Sequence, residues 1–222
     1  MPVLVYCVTA RNEGLSAIAG VADSMLKTHD SAGLRFYWSE VSNPEAWLSK
    51  ADSLKKAASE FQQVLRQILS AVTPLPFPFP TLFESISEME DHLGAEHEEY
   101  RAALERIGDG VQYEIAAGWA VDEEADLATP VTGKEYSRRR QEEAGRTAAL
   151  DNKLRNVTGG VVREWRMRQE RKKHRWFALV SRKDRDAFVA SLRSAGPSEG
   201  VRLRVSGPWP PGEFITPAQD GR

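Results

Sequence analysis

The chain is poor in the residues that make metal and redox sites. Cys7 is the only cysteine among 222 residues, so no intramolecular disulfide framework exists and a reducing compartment is expected. Cys7 lies in an apolar stretch, where a thiol reads as a small buried hydrophobe rather than a nucleophile. The four histidines, His29, His92, His97 and His174, have no histidine, cysteine or carboxylate partner at metal-ligand spacing, and His97 follows His92 by five positions, which turns them apart on a helix. There is no G-x-S-x-G elbow, no phosphate-cradling glycine loop and no dinucleotide fingerprint. The expectation is a protein without catalysis, cofactor or metal. No apolar run approaches the roughly 20 residues that span a bilayer. The start, Met1-Pro2-Val3-Leu4-Val5-Tyr6, lacks a basic n-region and does not read as a signal peptide. Net charge is only −2, so no global field draws the chain to nucleic acid or an acidic membrane. A soluble, cytoplasmic protein is expected.

What is present is a globular composition, 41% hydrophobic, on a chain long enough for one large or two small domains. Charge is unevenly spread. Between Glu84 and Asp126 acidic residues greatly outnumber Arg101 and Arg106, and from Lys134 to Arg193 bases outnumber acids, an asymmetry that suggests docking between halves or onto another protein.

Hydrophobic periodicity predicts a buried strand over Val3–Thr9, then a hairpin of 24–28 and 34–41 around His29-Asp30-Ser31-Ala32-Gly33. Asn43-Pro44 is an N-cap and N1 pair, and Trp47, Leu54, Phe61, Leu65, Ile68 and Val72 recur at helical spacing, predicting one long helix over 44–72. Prolines 74, 76, 78 and 80 confine the next segment to a sheet edge or connector. A second helix, over 85–107, carries Ile86, Met89, Leu93, Tyr100, Leu104 and Ile107 inward, with Gly94 a weak point. A strand over 111–119 completes an N-terminal ferredoxin-like α/β sandwich, residues 1–121.

Residues 122–132 read as a linker. A charged helix from Gly133 follows, with Leu150, Leu154, Val157, Val161 and Trp165 on one face and Gly159-Gly160 as a breaker. Trp176–Val180 reads as a buried strand, 184–194 as a short helix and Val201–Val205 as the final strand. The expected C-terminal domain, 133–216, is thus helix-rich α+β with a small sheet, followed by a flexible tail, 217–222.

Two stretches invite a functional reading. Arg163, Arg166, Arg168, Arg171, Lys172, Lys173 and Arg175 form a basic surface that would neutralise phosphates, with Trp165 and Trp176 as stacking partners; the plainer reading is a solvated helix end. Ser206-Gly207-Pro208-Trp209-Pro210-Pro211-Gly212-Glu213-Phe214 is a stiff segment in which the prolines should end the sheet and hold Trp209 in one direction. Trp209 then either seals the second domain, over Phe214 or the last sheet, or meets a partner. Phe77, Phe79 and Phe83 carry the same pair of readings, core packing or protein interaction.

The tail resembles the GPWPP-Y-S-F stretch of the gas vesicle protein GvpL/GvpF family, with Gly212 and Glu213 in place of the tyrosine and serine. Pro74–Phe83 is similar to that family's P-L-R-F-G-T-V-F, with Pro76 for the basic residue and Pro80 for the glycine; Val111–Ile115 is similar to its strand beginning V-E-W, and Gly133–Arg139 to its G-x-x-Y-L-x-x-R. The resemblance implies a ferredoxin-like N-terminal domain and a helical hairpin or long helix after residue 133. It also implies a non-catalytic accessory or minor structural protein of gas vesicle assembly, cytoplasmic and vesicle-associated, that binds the small hydrophobic shell protein and other accessory proteins. The alternative is a nucleic-acid-binding module built on 163–175.

Overall fold

A computed structural model describes residues 1–11, 15, 18–119, 133–170, 173–194 and 201–216. It separates into two compact units, residues 1–111 with 209–222, and residues 112–208. The fold is mixed α+β with two four-stranded antiparallel sheets.

In the first unit, β1 (Val3–Ala10) is flanked by β3 (Leu34–Glu40) and β4 (Leu75–Phe83), and β2 (Lys27–Ser31) pairs with β3, giving the order β2-β3-β1-β4. The run Val3–Val8 is wholly buried because both faces of the sheet are covered. On one face Tyr6 stacks on Phe61 of α2 (Ala51–Ala71) at 5.0 Å between ring centroids, and on the other Phe36 meets Tyr100 of α4 (His97–Ile107) edge-on at 6.0 Å. A continuous apolar strand is what such a central position requires.

The hairpin expected around residues 29–33 is tighter than its sequence suggests. His29–Ser31 belong to β2, and the turn is only Ala32-Gly33, at φ +48° and +83°. Two successive positive φ values match the twist of the flanking strands. The helix expected over 44–72 is split into α1 (Glu45–Leu48) and α2, because Lys50 is extended at φ −121°, ψ 126°. Asn43 Oδ1 accepts from the Ala46 N–H at 3.2 Å, as its capping role predicts. The acidic helix also divides, into α3 (Ile86–Ala95) and α4, at Glu96. Ser85 Oγ accepts from the Glu88 N–H at 3.2 Å and Glu88 Oε2 accepts from the Glu84 N–H at 2.7 Å, so reciprocal side-chain bonds hold the start of α3.

The strand over 111–119, expected in the N-terminal sheet, is part of β5 (Gly110–Trp119). It lies instead inside the second sheet, whose order is β6-β7-β5-β8. That order repeats the first sheet's pattern: second, third, first, fourth. The second unit follows a β-α-β-β-α-β path through β5, α5 (Gly133–Thr158), β6 (Val162–Glu170), β7 (Lys173–Ser181), α6 (Arg185–Ser194) and β8 (Val201–Trp209). In the first unit the stretch between β1 and β2 holds no α-helix among the described residues.

The glycine pair does end α5, at Thr158. The long helix, one of the two expectations after residue 133, is thus present as α5, but the helical hairpin is not, and the apolar face read on through Val161 and Trp165 leaves the helix at the glycines. Residues 162–170 form one arm of the antiparallel hairpin β6–β7, in which Trp165 pairs with Ala178 and Met167 with Trp176. The governing period after the glycines is two, Trp165 and Met167 alternating with Arg166 and Arg168, and a strand honours it. The second unit is therefore richer in sheet than expected. β8 also outruns its expected end at Val205 and continues through Pro208, which an edge strand tolerates because its outer N–H needs no ladder partner. The expected linker, 122–132, and flexible tail, 217–222, lie outside the described residues.

Candidate interaction surfaces

Pro76, Pro78 and Pro80 cannot donate to a ladder, so β4 sits at a sheet edge. Pairing with β1 jumps from Val5↔Thr81 to Cys7↔Pro76, leaving Phe77–Pro80 out of register. That excursion spreads the phenylalanines over both faces of the sheet. Phe79 reaches Trp47 at 5.7 Å and Phe61 at 5.0 Å, whereas Phe77 meets Tyr100 at 5.6 Å. Phe83 lies 5.2 Å from the His92 ring. All three are half-buried and take part in the first unit's aromatic packing, while Pro78 and Pro80 are exposed.

The tail segment also belongs to the first unit, not the second domain it was expected to seal. The Arg66 guanidinium of α2 lies 4.5 Å from the centroid of the half-buried Trp209 ring. Arg106 of α4 donates through Nη2 to the Phe214 carbonyl and, at 2.9 Å, to that of Ile215. Between these two holds the chain makes a tight turn, in which Phe214 N–H donates to the Pro211 carbonyl at 3.0 Å and Gly212 N–H to that of Pro210 at 2.8 Å. Pro210, Pro211 and Phe214 are buried. Phe214, a candidate interaction residue, is thus a core residue of the first unit with no exposed surface. Sequence reasoning missed Arg66 and Arg106 as the groups that hold the strap. The available signal was weak: Arg106 is one of only two arginines in a strongly acidic stretch.

The basic surface is not a helix end. Arg163, Arg166 and Arg168 lie on β6 and Arg175 on β7. Arg166 Nη2 pairs with Glu164 Oε2 at 3.2 Å and Arg175 Nη1 with Glu114 Oε1 of β5 at 3.3 Å. Arg163 and Arg168 are exposed; Lys173 opens β7, and Arg171 and Lys172 lie outside the described residues. The two tryptophans face inward. Trp176 is fully buried, and Trp165 Nε1 donates to Asp151 of α5 at 2.8 Å. Neither is displayed as a platform for base stacking.

The ionisable groups behave as structural ones. Burial pushes the Cys7 thiol well above its ordinary value, which keeps it protonated and unreactive. Burial, reinforced by the 2.6 Å hydrogen bond its hydroxyl donates to Glu96, likewise raises Tyr100. The bidentate Arg35 guanidinium, at 2.7 and 2.8 Å, holds the Asp30 carboxyl below its usual range. Among the described residues no three histidine, cysteine or carboxylate side chains are grouped to hold a metal ion, and no helix is long and apolar enough to cross a membrane.

The fold has solved counterparts. The gas vesicle protein GvpF from Anabaena sp. PCC7120 superposes with a TM-score of 0.79 at 14% identity, covering 100% of this chain and 98% of that one. GvpF from Microcystis aeruginosa superposes with a TM-score of 0.76 at 13% identity, over 97% and 99% of the two chains. No curated protein sequence matches. At such identities the superpositions speak for the fold, and family rests on the sequence model for gas vesicle synthesis protein GvpL/GvpF, which matches residues 2–216. The chain therefore belongs to the GvpL/GvpF family.

Proposed function

We propose that this protein is a non-catalytic accessory or minor structural component of gas vesicle assembly that binds the small hydrophobic shell protein and other accessory proteins, in the cytoplasm and in association with the vesicles. The observation that carries this reading is the family match across residues 2–216, which takes in both units and the strap. Family membership supports a gas vesicle role; the partner assignment rests on what a sticky shell subunit needs, apolar surface rimmed by charge. The region proposed for it is the proline-rich edge β4 with Phe77, Phe79 and Phe83, bordered by the Trp209–Phe214 strap. There exposed Pro78 and Pro80 alternate along the strand with half-buried phenylalanines and Gly212 stands against Pro76, a Cβ at 212 falling 3.3 Å from the proline ring. These are two of the positions at which the chain departs from the family pattern, and they touch one another.

The test is co-expression with the shell protein of a gas vesicle cluster and co-purification through a tag on this chain. Retention of the shell protein by the wild type is expected, with loss in Trp209→Ala while circular dichroism stays unchanged. Failure of the folded wild type to retain it sinks the binding role. Equal capture by a folded Trp209→Ala protein assigns Trp209 to bracing the first unit and moves the contact elsewhere. The nucleic-acid reading has no observation in its favour beyond charge, since the tryptophans it needs face inward.

A further inference from the structure

Helix α5 is longer than its bed. Its buried positions, Thr147, Leu150, Leu154 and Thr158, all fall in its C-terminal half. Every described side chain from Gly133 to Glu142 is exposed. Two contacts set the helix's register on the sheet. Trp165 Nε1 of β6 bonds Asp151, and His174 Nε2 of β7 lies 3.3 Å from Glu143 Oε1. β7 has one residue, Lys173, before His174, whereas α5 has ten before Glu143. At about 1.5 Å per residue, roughly 15 Å of helix runs on past the point where its packing against the strand ends.

This overhang breaks two local rules together. A helical stretch with no apolar face to bury has little to stabilise it except continuity with the packed half and surface pairs such as Arg138–Glu142, at 3.7 Å. It also sets Lys134 and Arg138 four residues apart with Arg139 and Arg140 beside them, a cluster of like charge on turns that have no packing to offset the repulsion. Local rules are broken where function requires it, and an anionic partner would relieve the charge conflict while covering the bare helix.

A fitting surface exists on the chain itself. Glu84, Glu88 and Asp91, spaced by four and three, lie exposed along one side of α3 and the residue before its cap, and Glu98, Glu99 and Glu105 are exposed on α4. We propose that the arginine-rich overhang of α5 docks onto the acidic outer face of α3 and α4 of a second copy, so that this protein associates head to tail. Such a contact is heterologous: each copy keeps one free basic and one free acidic end, and growth is not limited to a dimer. Its area is small and its energy electrostatic, so association is weak and salt-sensitive.

Sedimentation velocity on the full chain at about 50 mM and about 500 mM salt tests this, the two conditions differing roughly threefold in screening length. The expected result is a mean mass that rises with protein concentration at low salt and collapses to monomer at high salt. Reversing the basic end (R138E/R139E/R140E) or the acidic end (E84K/D91K/E99K) should each give monomer at low salt, and an equimolar mixture of the two variants should associate again. All six positions are exposed, so circular dichroism should be unchanged; R138Q/R139Q/R140Q, with weakened association, serves if a reversal unfolds the chain. A wild type monomeric at low salt, association indifferent to reversal, or a mixture that stays monomeric overturns the proposal. Salt-dependent capture of a single-stranded oligonucleotide by the overhang without self-association overturns it equally.

Discussion

Phe214→Ala tests the assignment of the C-terminal strap to the first unit. Phe214 is completely buried, so truncation removes an aromatic ring from a packed site and leaves a cavity, a change that costs about 3–5 kcal/mol. The ring also fixes the turn that presents the Phe214 and Ile215 carbonyls to Arg106, and charge-assisted bonds of that kind contribute about 1.5–3 kcal/mol. The two losses share one strap and are not additive. With a urea slope of about 2 kcal/mol per molar, the first unit's midpoint should fall by roughly 2 M. Hydrogen exchange read by mass spectrometry locates the effect. Amides of β4 and α4, the elements the strap touches through Pro76 and Arg106, should lose protection, and those of the β6–β7 hairpin should keep theirs. A midpoint shift below about 0.5 M, or equal loss of protection in both units, refutes the assignment.

Two glycines should respond in opposite directions to alanine. At Gly207, φ is +138° and a Cβ would fall 2.8 Å from both the Gln112 carbonyl oxygen and Tyr113 Cδ1, so Gly207→Ala should cost more than about 2 kcal/mol in urea unfolding. Gly94 lies in α3 with nothing within 4 Å of an added methyl, and Gly94→Ala should stabilise by about 0.5–1 kcal/mol. Burial raises Tyr37, Tyr100 and Tyr113 in the folded state. A raised folded pKa means that the folded chain holds these protons longer. The associated stability is complete below the unfolded tyrosine value of about 10 and is lost as pH climbs from there through the folded values. Absorbance titration should show delayed tyrosinate formation that Tyr100→Phe reduces, and urea midpoints should begin to fall above about pH 8.5, where the unfolded Cys7 thiol ionises, and more steeply above about pH 10; a normal tyrosine titration curve would contradict the burial argument.

How far the chain could be read in advance depended on whether the deciding interaction was local. The first strand was legible because Val3–Val8 has no polar position to face water, and burial on both sides is its one consistent environment. The prolines of β4 excluded a central strand by chemistry alone, and Gly159-Gly160 ended α5 where expected. The family was also legible, from motifs short enough to survive divergence. Residues 162–170 were hidden because Leu150, Leu154, Val157, Val161 and Trp165 happen to satisfy a helical spacing, while the alternation that wins is rewarded only when β7 lies alongside. The partnership of β5 was hidden for the same reason: a strand's sequence states that it pairs, not with which sheet.

Sequence by itself thus determined the type of most elements but not of residues 162–170, the exclusion of the proline run from a sheet interior, the absence of a disulfide framework and the family. Tertiary structure alone decided that Trp209 and Phe214 return to the first unit, because their partners, Arg66 on α2 and Arg106 on α4, are more than a hundred residues away in the chain. No local propensity records a contact at that separation.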